Sequence, residues 1–250
     1  NVKKTVLITG GSRGLGKKIA QTFFNNNFRV LIASRTKGDF DFSKAIDYRY
    51  IKTDVQQPLQ LKKAVEYAIK WTGRIDVLIN NAGISKWSSL SNISEEFWNM
   101  MINTNLKSVL FASKAAVKKM LPGSSIINIS SLAGKRGSAN NSVYCATKFG
   151  VNGITQSLAK ELGIKGIRVN AICPVYIRTE GLEKALNEPE SPSRGGNFSD
   201  FLLDFEKKQT ALGVLPTEEQ VANTCLFLSS ELGDGITGQC INVDCGVMPQ

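Results

Sequence analysis

Short apolar runs alternate along the chain with longer stretches in which apolar residues recur every three or four positions. The short runs are rich in β-branched residues, which is typical of buried strands. They predict seven strands: Thr5–Thr9, Val30–Ala33, Tyr48–Ile51, Asp76–Asn80, Ser125–Ile129, Ile167–Ile172 and Cys240–Val243. The longer stretches predict helices over residues 15–25, 61–71, 94–120, 143–162 and 217–229. Pro122 and Gly123 are expected to end the third helix, which can contain a break.

Strands that alternate with helices and are apolar throughout indicate a parallel sheet covered on both faces. We therefore predict one α/β domain over residues 1–250, a doubly wound (Rossmann-type) fold with a seven-stranded parallel sheet and helices on both faces. Ligands of such folds bind beyond the carboxyl ends of the strands.

Two connections depart from a regular alternation. Only twelve residues separate Arg35 from Tyr48, so we expect about one turn of helix there. This short connection would leave that edge of the sheet more open. Residues 180–216 contain Pro189, Pro192 and a glycine pair, and they are too long for a simple connection. We interpret them as a substrate loop with helical pieces.

Composition narrows the possible partners. The net charge is +10, but the basic residues are scattered as pairs without a basic arm, which argues against nucleic acid and favours an anionic small molecule or an acidic carrier. No apolar run is long enough for a membrane helix, and the N-terminal strand leaves no room for a signal peptide, so we expect a cytoplasmic protein. The chain has five cysteines without CxxC spacing and no histidine, which predicts no metal site and buried, reduced thiols.

A glycine-rich turn follows the first predicted strand. Its sequence is Thr9-Gly10-Gly11-Ser12-Arg13-Gly14-Leu15-Gly16, and the next residues begin a helix. Glycines at such a turn let the backbone approach a pyrophosphate, which the free N–H groups of the helix N-terminus can bind. The spacing differs from GxGxxG, so the position of the turn carries more weight than its glycines.

The end of the second strand bears on the choice of dinucleotide. NAD sites place an acidic residue there, whereas this chain has Ser34 and Arg35. Arg35, with Arg13 from the glycine turn, would pair with a 2′-phosphate, so we predict NADP(H). NAD(H) stays possible, because Asp39 and Asp41 lie nearby and both arginines could be ordinary surface residues.

Tyr144 and Lys148 lie one helical turn apart on the same face of a predicted helix. The spacing alone is common by chance. Together with the glycine turn, the Asn80-Asn81-Ala82-Gly83 segment and Ser131, thirteen residues before the tyrosine, it resembles the short-chain dehydrogenase/reductase family over nearly the whole chain.

The resemblance implies a catalytic group and further cofactor contacts. The implied catalytic residues are Asn105, Ser131, Tyr144 and Lys148, with Asn105 holding a water in a proton relay. Ser130 is the competing serine, and the spacing to the tyrosine favours Ser131. The implied cofactor-binding residues are Gly10, Ser12, Arg13, Gly14, Leu15, Gly16, Ser34, Arg35, Asp54, Val55, Asn80, Ala82, Gly83, Tyr144, Lys148, Pro174, Ile177 and Thr179. Val175 replaces the family's glycine after Pro174, and Cys245 replaces a glycine near the end.

The chemistry explains these residue types. Carbonyl reduction needs a hydride from the cofactor and a proton for the developing alkoxide. An ammonium about 5 Å from a phenol favours the phenolate by roughly 3 kcal/mol at an effective dielectric of about 20, so we expect Lys148 to bring the pKa of Tyr144 towards the working pH. Ser131 would hydrogen-bond the carbonyl oxygen.

Three functions compete. The leading one is an NADP(H)-dependent carbonyl reductase, with 3-oxoacyl-acyl-carrier-protein reductases as the subgroup it resembles most. The second is a reductase or dehydrogenase of a sugar or nucleotide-linked sugar, and the third is a non-catalytic nucleotide-binding scaffold. The family resemblance also implies a homo-oligomer, a dimer or tetramer, formed through the two long helices.

Overall fold

The computed structural model describes residues 3–249, and seven parallel strands form its central sheet. The order across the sheet is β3-β2-β1-β4-β5-β6-β7, so the chain starts in the middle and winds outwards twice. This arrangement confirms the predicted doubly wound fold. The strands are β1 (Thr5–Thr9), β2 (Arg29–Ser34), β3 (Tyr48–Lys52), β4 (Ile75–Asn80), β5 (Met120–Ile129), β6 (Arg168–Pro174) and β7 (Cys240–Val243).

Helices cover both faces of the sheet. They are α1 (Gly14–Asn25), α2 (Pro58–Thr72), α3 (Glu95–Ile102), α4 (Ser108–Val117), α5 (Ser142–Leu162), α6 (Glu180–Leu186), α7 (Phe198–Gln209) and α8 (Glu218–Ser229). Helices α1 and α8 pack together on one face, and α2 packs beside α4 on the other, with α5 against β6. Each face has its own apolar core, to which alternate side chains of the strands contribute.

Local signals explain several boundaries. The side chain of Ser94 accepts a hydrogen bond from the N–H of Phe97, which caps the start of α3. Thr217 and Gln220 form a reciprocal capping box at the start of α8. Helix α2 begins with Pro58, where a missing N–H costs nothing.

The predicted third helix is wrong at its end. Helix α4 stops at Val117, and Met120 already pairs with Ile75 as the first residue of β5. Pro122 and Gly123 are exposed within this strand, where the register shifts between β4 and β5. Between α3 and α4, Asn103–Lys107 form a π-helical turn, so the break allowed in that helix is observed.

The connection between β2 and β3 contains turns and no helix over residues 35–47, contrary to the helical turn that we expected. Aromatic side chains take the place of a helix. Phe42 stacks on Phe24 of α1 at 4.1 Å between ring centroids, and Phe40 and Tyr48 complete the group. Residues 180–216 contain α6 and α7, which are the helical pieces predicted for this segment.

Two negative findings apply to residues 3–249. None of their helices is long and apolar enough to cross a membrane. No group of three or more side chains of the metal-binding types lies together among them. All five cysteines are free thiols.

Candidate active site

The glycine turn lies at the carboxyl end of β1, and two of its glycines are sterically required. Gly10 has φ +66°, and a Cβ there would lie 2.7 Å from the Cα of Ala82. A Cβ on Gly16 would lie 2.4 Å from both the carbonyl oxygen of Gly10 and the amide of Asn81. The turn therefore packs directly against the segment after β4, which brings the first and fourth strand ends together.

The N-terminus of α1 fits a bound pyrophosphate. Arg13 occupies the capping position but makes no side-chain hydrogen bond to the helix, and the first turn has no acidic residue. The N–H groups of that turn are thus left without a side-chain cap and can bind an anion. Leu15 packs against the apolar core below, and the space above Gly14, at φ +50°, is bordered by Thr179 at 3.7 Å from a Cβ placed there.

The end of β2 differs in part from the sequence prediction. Ser34 is buried, and its hydroxyl donates to the carbonyl oxygen of Thr36 at 2.7 Å, so it stabilises the turn after β2. Arg35 and Arg13 are exposed beside this edge. Ser12 and Thr36 share a hydrogen bond of 3.1 Å between their hydroxyl groups. Thr36 was missed by the sequence analysis, and its position directly after Arg35 was the available signal.

Asp54 and Val55 follow β3 and border the same edge. One carboxylate oxygen of Asp54 accepts a hydrogen bond from the N–H of Gln56 at 3.0 Å. The backbone N–H of Asp54 donates to the side-chain oxygen of Gln60 at 2.7 Å. This turn holds the carboxylate at the strand end, where the second oxygen can accept a further hydrogen bond. Val55 packs against the apolar core below α2.

After β4, the two asparagines have different roles. Asn80 is buried and donates to Asn128 at 2.8 Å, so its side chain links β4 to β5 within the central sheet. Asn81, which the sequence analysis did not select, donates to the carbonyl oxygen of Gly10 at 2.9 Å. Ala82 then contacts the glycine turn. Gly83 is exposed, and a Cβ placed on it would lie 3.8 Å from the ammonium nitrogen of Lys148.

The segment after β6 reaches across to the glycine turn. Pro174 is buried and pairs with Val243, so the strand continues to the point where the family glycine is replaced. Ile177 is buried in the core, while the side chain of Thr179 caps α6 by accepting from Leu182 at 3.1 Å. Val175 donates its N–H to Val243 at 3.4 Å, so the substitution leaves this strand end paired.

Asn105 lies in the π-helical turn and is 1% exposed. Its amide nitrogen donates to the carbonyl oxygen of Ile84 at 2.8 Å, and its oxygen accepts from the N–H of Ile84 at 2.8 Å. It also lies 3.4 Å from the hydroxyl of Thr147 on α5. The irregular turn thus fixes this amide between the segment after β4 and the helix that carries Tyr144 and Lys148.

The structure separates the two adjacent serines. Ser130 is buried and donates to the carbonyl oxygen of Lys148 at 3.3 Å. The hydroxyl of Ser131 accepts from the N–H of Ala133 at 3.1 Å and hydrogen-bonds the side chain of Tyr144. Ser131, and not Ser130, is therefore the serine that meets the tyrosine.

The predicted effect of Lys148 on Tyr144 is wrong in the ligand-free protein. Burial raises the pKa of Tyr144 to about 12, and the hydrogen bond from Ser131 opposes this only in part. The Lys148 ammonium lies 5.6 Å from the centre of the tyrosine ring and donates to the carbonyl oxygen of Ile129 at 2.9 Å. Burial also lowers the pKa of Lys148 to about 8, because the ammonium loses water on every side. Burial is thus the largest cause of both shifts, and it moves the two pKa values towards the neutral forms.

An apolar layer covers the site on its outer side. Trp87, Leu186 and Leu202 form its buried centre, with Tyr176 packed against it. The Tyr176 ring is close enough to Tyr144 to raise the pKa of that phenol slightly, so it lies at the border of the catalytic group. Beyond Tyr176, a cavity of about 300 Å³ has a mainly apolar lining, to which three polar side chains also contribute. The lining residues are Tyr176, Pro192, Phe201, Asp204, Phe205, Lys208 and Gln209.

The chain is similar in sequence and in structure to several known proteins. A family model described as enoyl-(acyl carrier protein) reductase matches residues 10–248. The 3-oxoacyl-acyl-carrier-protein reductase of Chlamydia muridarum is 36% identical over 258 residues, which cover 98% of each chain. The ligand-free aldohexose dehydrogenase of Thermoplasma acidophilum has a TM-score of 0.89 and 31% identity, covering 98% of this chain and 94% of its own. The structure of ElxO with NADP bound has a TM-score of 0.82 and 33% identity over 98% of both chains.

Proposed function

Because the chain belongs to the short-chain dehydrogenase/reductase family and is thereby an oxidoreductase, we propose that it reduces 3-oxoacyl thioesters with NADPH. The observation that carries the proposed reductase activity is the convergence of Asn105, Ser131, Tyr144 and Lys148 at one end of the sheet, beside a glycine turn with an uncapped helix N-terminus. None of the four catalytic positions is degenerate, which argues against the non-catalytic scaffold.

Each residue has a defined part in the reaction. The bound cofactor would supply the hydride. Tyr144 holds the proton that the developing alkoxide needs, and a pKa of about 12 keeps it protonated at neutral pH in the ligand-free enzyme. Ser131, already hydrogen-bonded to the tyrosine, orients the carbonyl oxygen against it. Lys148 adds positive charge beneath the phenol, and Asn105 fixes the strand end beside it.

The preference for NADP(H) rests on charge at the end of β2. Arg13 and Arg35 are both exposed there, and the Thr36 hydroxyl lies between the glycine turn and the strand end. Two guanidinium groups suit a 2′-phosphate dianion, since each can form paired hydrogen bonds with its oxygens. The NADP-bound structure of ElxO, 33% identical to this chain, supports the same class of cofactor.

The coenzyme proposal is tested with Arg35→Ala. We expect the KM for NADPH to rise at least tenfold while the KM for NADH stays within twofold, because only the phosphate contact is lost. Lys165→Ala, an exposed cation before β6 at the opposite end of the sheet, is the control and should change neither value. Equal use of NADH and NADPH by the wild-type protein would contradict the proposal.

The substrate proposal rests on the apolar layer and on the relatives. A sugar needs several polar side chains for its hydroxyl groups. The cavity beyond Tyr176 offers Asp204, Lys208 and Gln209 at its lining, but most of the lining surface is apolar, which suits an acyl chain better. An acyl chain can lie along Phe201 and Phe205 while its 3-oxo group meets Tyr144. The second candidate, an aldohexose dehydrogenase, is favoured by one observation, the TM-score of 0.89 to the Thermoplasma acidophilum enzyme.

One panel separates these candidates. The purified protein is assayed for NADPH oxidation with acetoacetyl and longer 3-oxoacyl thioesters and with simple ketones, and for NADP⁺ reduction with aldohexoses. We expect the largest kcat/KM for a 3-oxoacyl thioester. Aldohexose oxidation without thioester turnover would establish the second candidate, and tight NADPH binding without any turnover would establish the scaffold.

We also propose that the chain forms a homodimer or homotetramer in the cytoplasm. The long helices leave large apolar side chains exposed: Trp98 at 44%, Leu110 at 41% and Phe149 at 48%. Such side chains on neighbouring helices are typical of a surface that a second copy covers. Light scattering coupled to size-exclusion chromatography tests this, and a monomer at micromolar concentration would contradict it.

A further inference from the structure

Two cysteines lie side by side on the last two strands. In the pairing of β6 with β7, Cys240 is opposite Ala171, which is two residues before Cys173. Side chains two residues apart on a strand point to the same face, so Cys173 and Cys240 share one face of the sheet. The sulfur of Cys173 lies 3.8 Å from the amide oxygen of Asn152, which identifies this face as the one that α5 covers.

The two thiols differ in access. Cys173 is fully buried. Cys240 is partly exposed on β7, the edge strand, where it lines a polar cleft of about 380 Å³. Lys135 and Asp244 are also in the lining, and Lys135 comes four residues after Ser131. A small molecule can therefore reach Cys240 from solvent but cannot reach Cys173.

The surroundings favour the thiolate of Cys240. Its contact with Cys173 and, secondarily, the charge of Lys135 hold the pKa of Cys240 below its usual value, while the same contact and burial raise the pKa of Cys173. The single proton of Cys173 has two acceptors, the Asn152 oxygen and the Cys240 sulfur. It can turn to Cys240 when that sulfur becomes negative, which stabilises the anion as a hydrogen-bond donor does.

A disulfide between these cysteines does not fit the strand geometry. In a parallel pair with strands about 4.8 Å apart and a rise of about 3.3 Å per residue, residues offset by two positions have Cα atoms roughly 8 Å apart, whereas an unstrained disulfide needs roughly 4.4–6.8 Å. The thiolate of Cys240 is therefore placed to react with an external partner. Cys173 acts as its buried hydrogen-bond donor.

We propose that Cys240 is a modification site at which a low-molecular-weight disulfide, such as oxidised glutathione, forms a mixed disulfide with the chain. The Cys240 thiolate attacks one sulfur of the reagent, a new sulfur–sulfur bond forms, and the reagent's own bond breaks. The second half of the reagent leaves as a thiolate, which takes up the proton that Cys240 released. Cys240 is oxidised, the departing thiol is reduced, and no other oxidant is required.

Two structural connections would transmit the effect of the adduct from Cys240 to the active site. Strand β7 holds the segment after β6 by the pairing of Val243 with Pro174 and by the hydrogen bond from Val175. The cleft is also bordered by Lys135, in the loop that begins at Ser131. A group occupying the cleft therefore lies beside both the loop that begins at Ser131 and the strand that holds the segment after β6. We expect modification to lower turnover several-fold and a reducing thiol to restore it.

The test uses the reduced full-length chain, oxidised glutathione, and peptide mapping by mass spectrometry. Cys245 is the matched comparison, because it is also partly exposed but burial and the Asp244 charge raise its pKa. At pH 7 we expect Cys240 to be modified roughly five times faster than Cys245 or more, since its larger thiolate fraction outweighs its lower intrinsic nucleophilicity. Cys245→Ser should keep the adduct, and Cys240→Ser should lose it.

Further outcomes decide the proposal. Cys173→Ala should slow the modification of Cys240 and move its pH dependence upwards. Equal rates at Cys240 and Cys245, an unchanged rate in Cys173→Ala, or an intramolecular disulfide in place of the adduct would overturn it. The labelling result does not depend on the substrate, so it stands even if the protein does not reduce 3-oxoacyl thioesters. Activity is then followed with any substrate that is turned over.

Discussion

Replacing Lys148 with methionine should stabilise the ligand-free protein while it removes activity. The lysine is 6% exposed, and burial lowers its pKa from 10.5 to about 8. A fall of that size corresponds to about 3 kcal/mol of lost ammonium solvation at neutral pH. Methionine has a similar length and no charge, but it leaves the carbonyl oxygen of Ile129 without its donor, which costs about 1–2 kcal/mol. We therefore expect Lys148→Met to gain about 1–2 kcal/mol, or roughly 2–8 °C in Tm.

The pH dependence isolates the cause of this gain. The folded-state pKa of Lys148 lies below the unfolded value, so the unfolded chain binds more protons between pH 8 and about 10.5. The wild-type protein consequently recovers stability from this group as the pH rises through that window, whereas below pH 8 the whole cost remains. The advantage of Lys148→Met should be largest near pH 7 and should shrink towards pH 10.

Urea unfolding of the ligand-free proteins at pH 7 and pH 9.5 measures both values. Lys160→Met is the control, because Lys160 lies on the same helix and is exposed, so its substitution should change the free energy of unfolding by less than about 0.5 kcal/mol. A Lys148→Met protein that is less stable than wild type at pH 7 would refute the reasoning. So would a difference between the two proteins that is the same at both pH values.

Three further predictions concern the tyrosine and the glycine turn. Tyr144→Phe should lower kcat by roughly 10²–10⁴ while the Kd for NADPH changes less than threefold; steady-state kinetics and a fluorescence titration measure the two, and equal losses would point to a binding role. Ultraviolet titration of the ligand-free wild type against Tyr144→Phe should show no tyrosinate from this residue below pH 10, because burial raises its pKa to about 12; a difference spectrum near pH 8 would contradict this. Gly10→Ala should lose about 2–4 kcal/mol in urea unfolding, since its Cβ would lie 2.7 Å from Ala82 at φ +66°, whereas Gly235→Ala, with open space around it, should stay within about 0.5 kcal/mol.

The sheet was predictable because most of its strands contain an apolar run bounded by polar or turn residues. The exception at Met120 has a physical reason. Its pairing with Ile75 is a contact between distant parts of the chain, and the Pro122-Gly123 pair that follows resembles a helix stop. The aromatic group around Phe42 was missed for the same reason, because its stacking on Phe24 depends on the fold and not on neighbouring residues.

Within the site, the sequence predicted which residues meet but not which way each side chain points. Ser34 and Asn80 lie at the expected strand ends, yet their side chains bond within the protein. Asn81 and Thr36, one or two positions along the chain, were overlooked. The expected direction of the Tyr144 pKa shift was wrong, because it was based on the charge of Lys148 alone. It omitted the burial of both groups, which only the packed structure reveals.

The π-helical turn at Asn103–Lys107 determines how α4 is rotated about its axis relative to α3. An α-helix turns about 100° per residue, so one additional residue in a single turn shifts the two flanking helices by about that angle relative to each other. Deleting one residue there would regularise the backbone and could strengthen the helix, but it would swing Asn105 away from Ile84. The additional residue of this turn therefore fixes which side chains of the two helices face the active site. A deletion can be harmful here although every remaining side chain keeps its chemical identity.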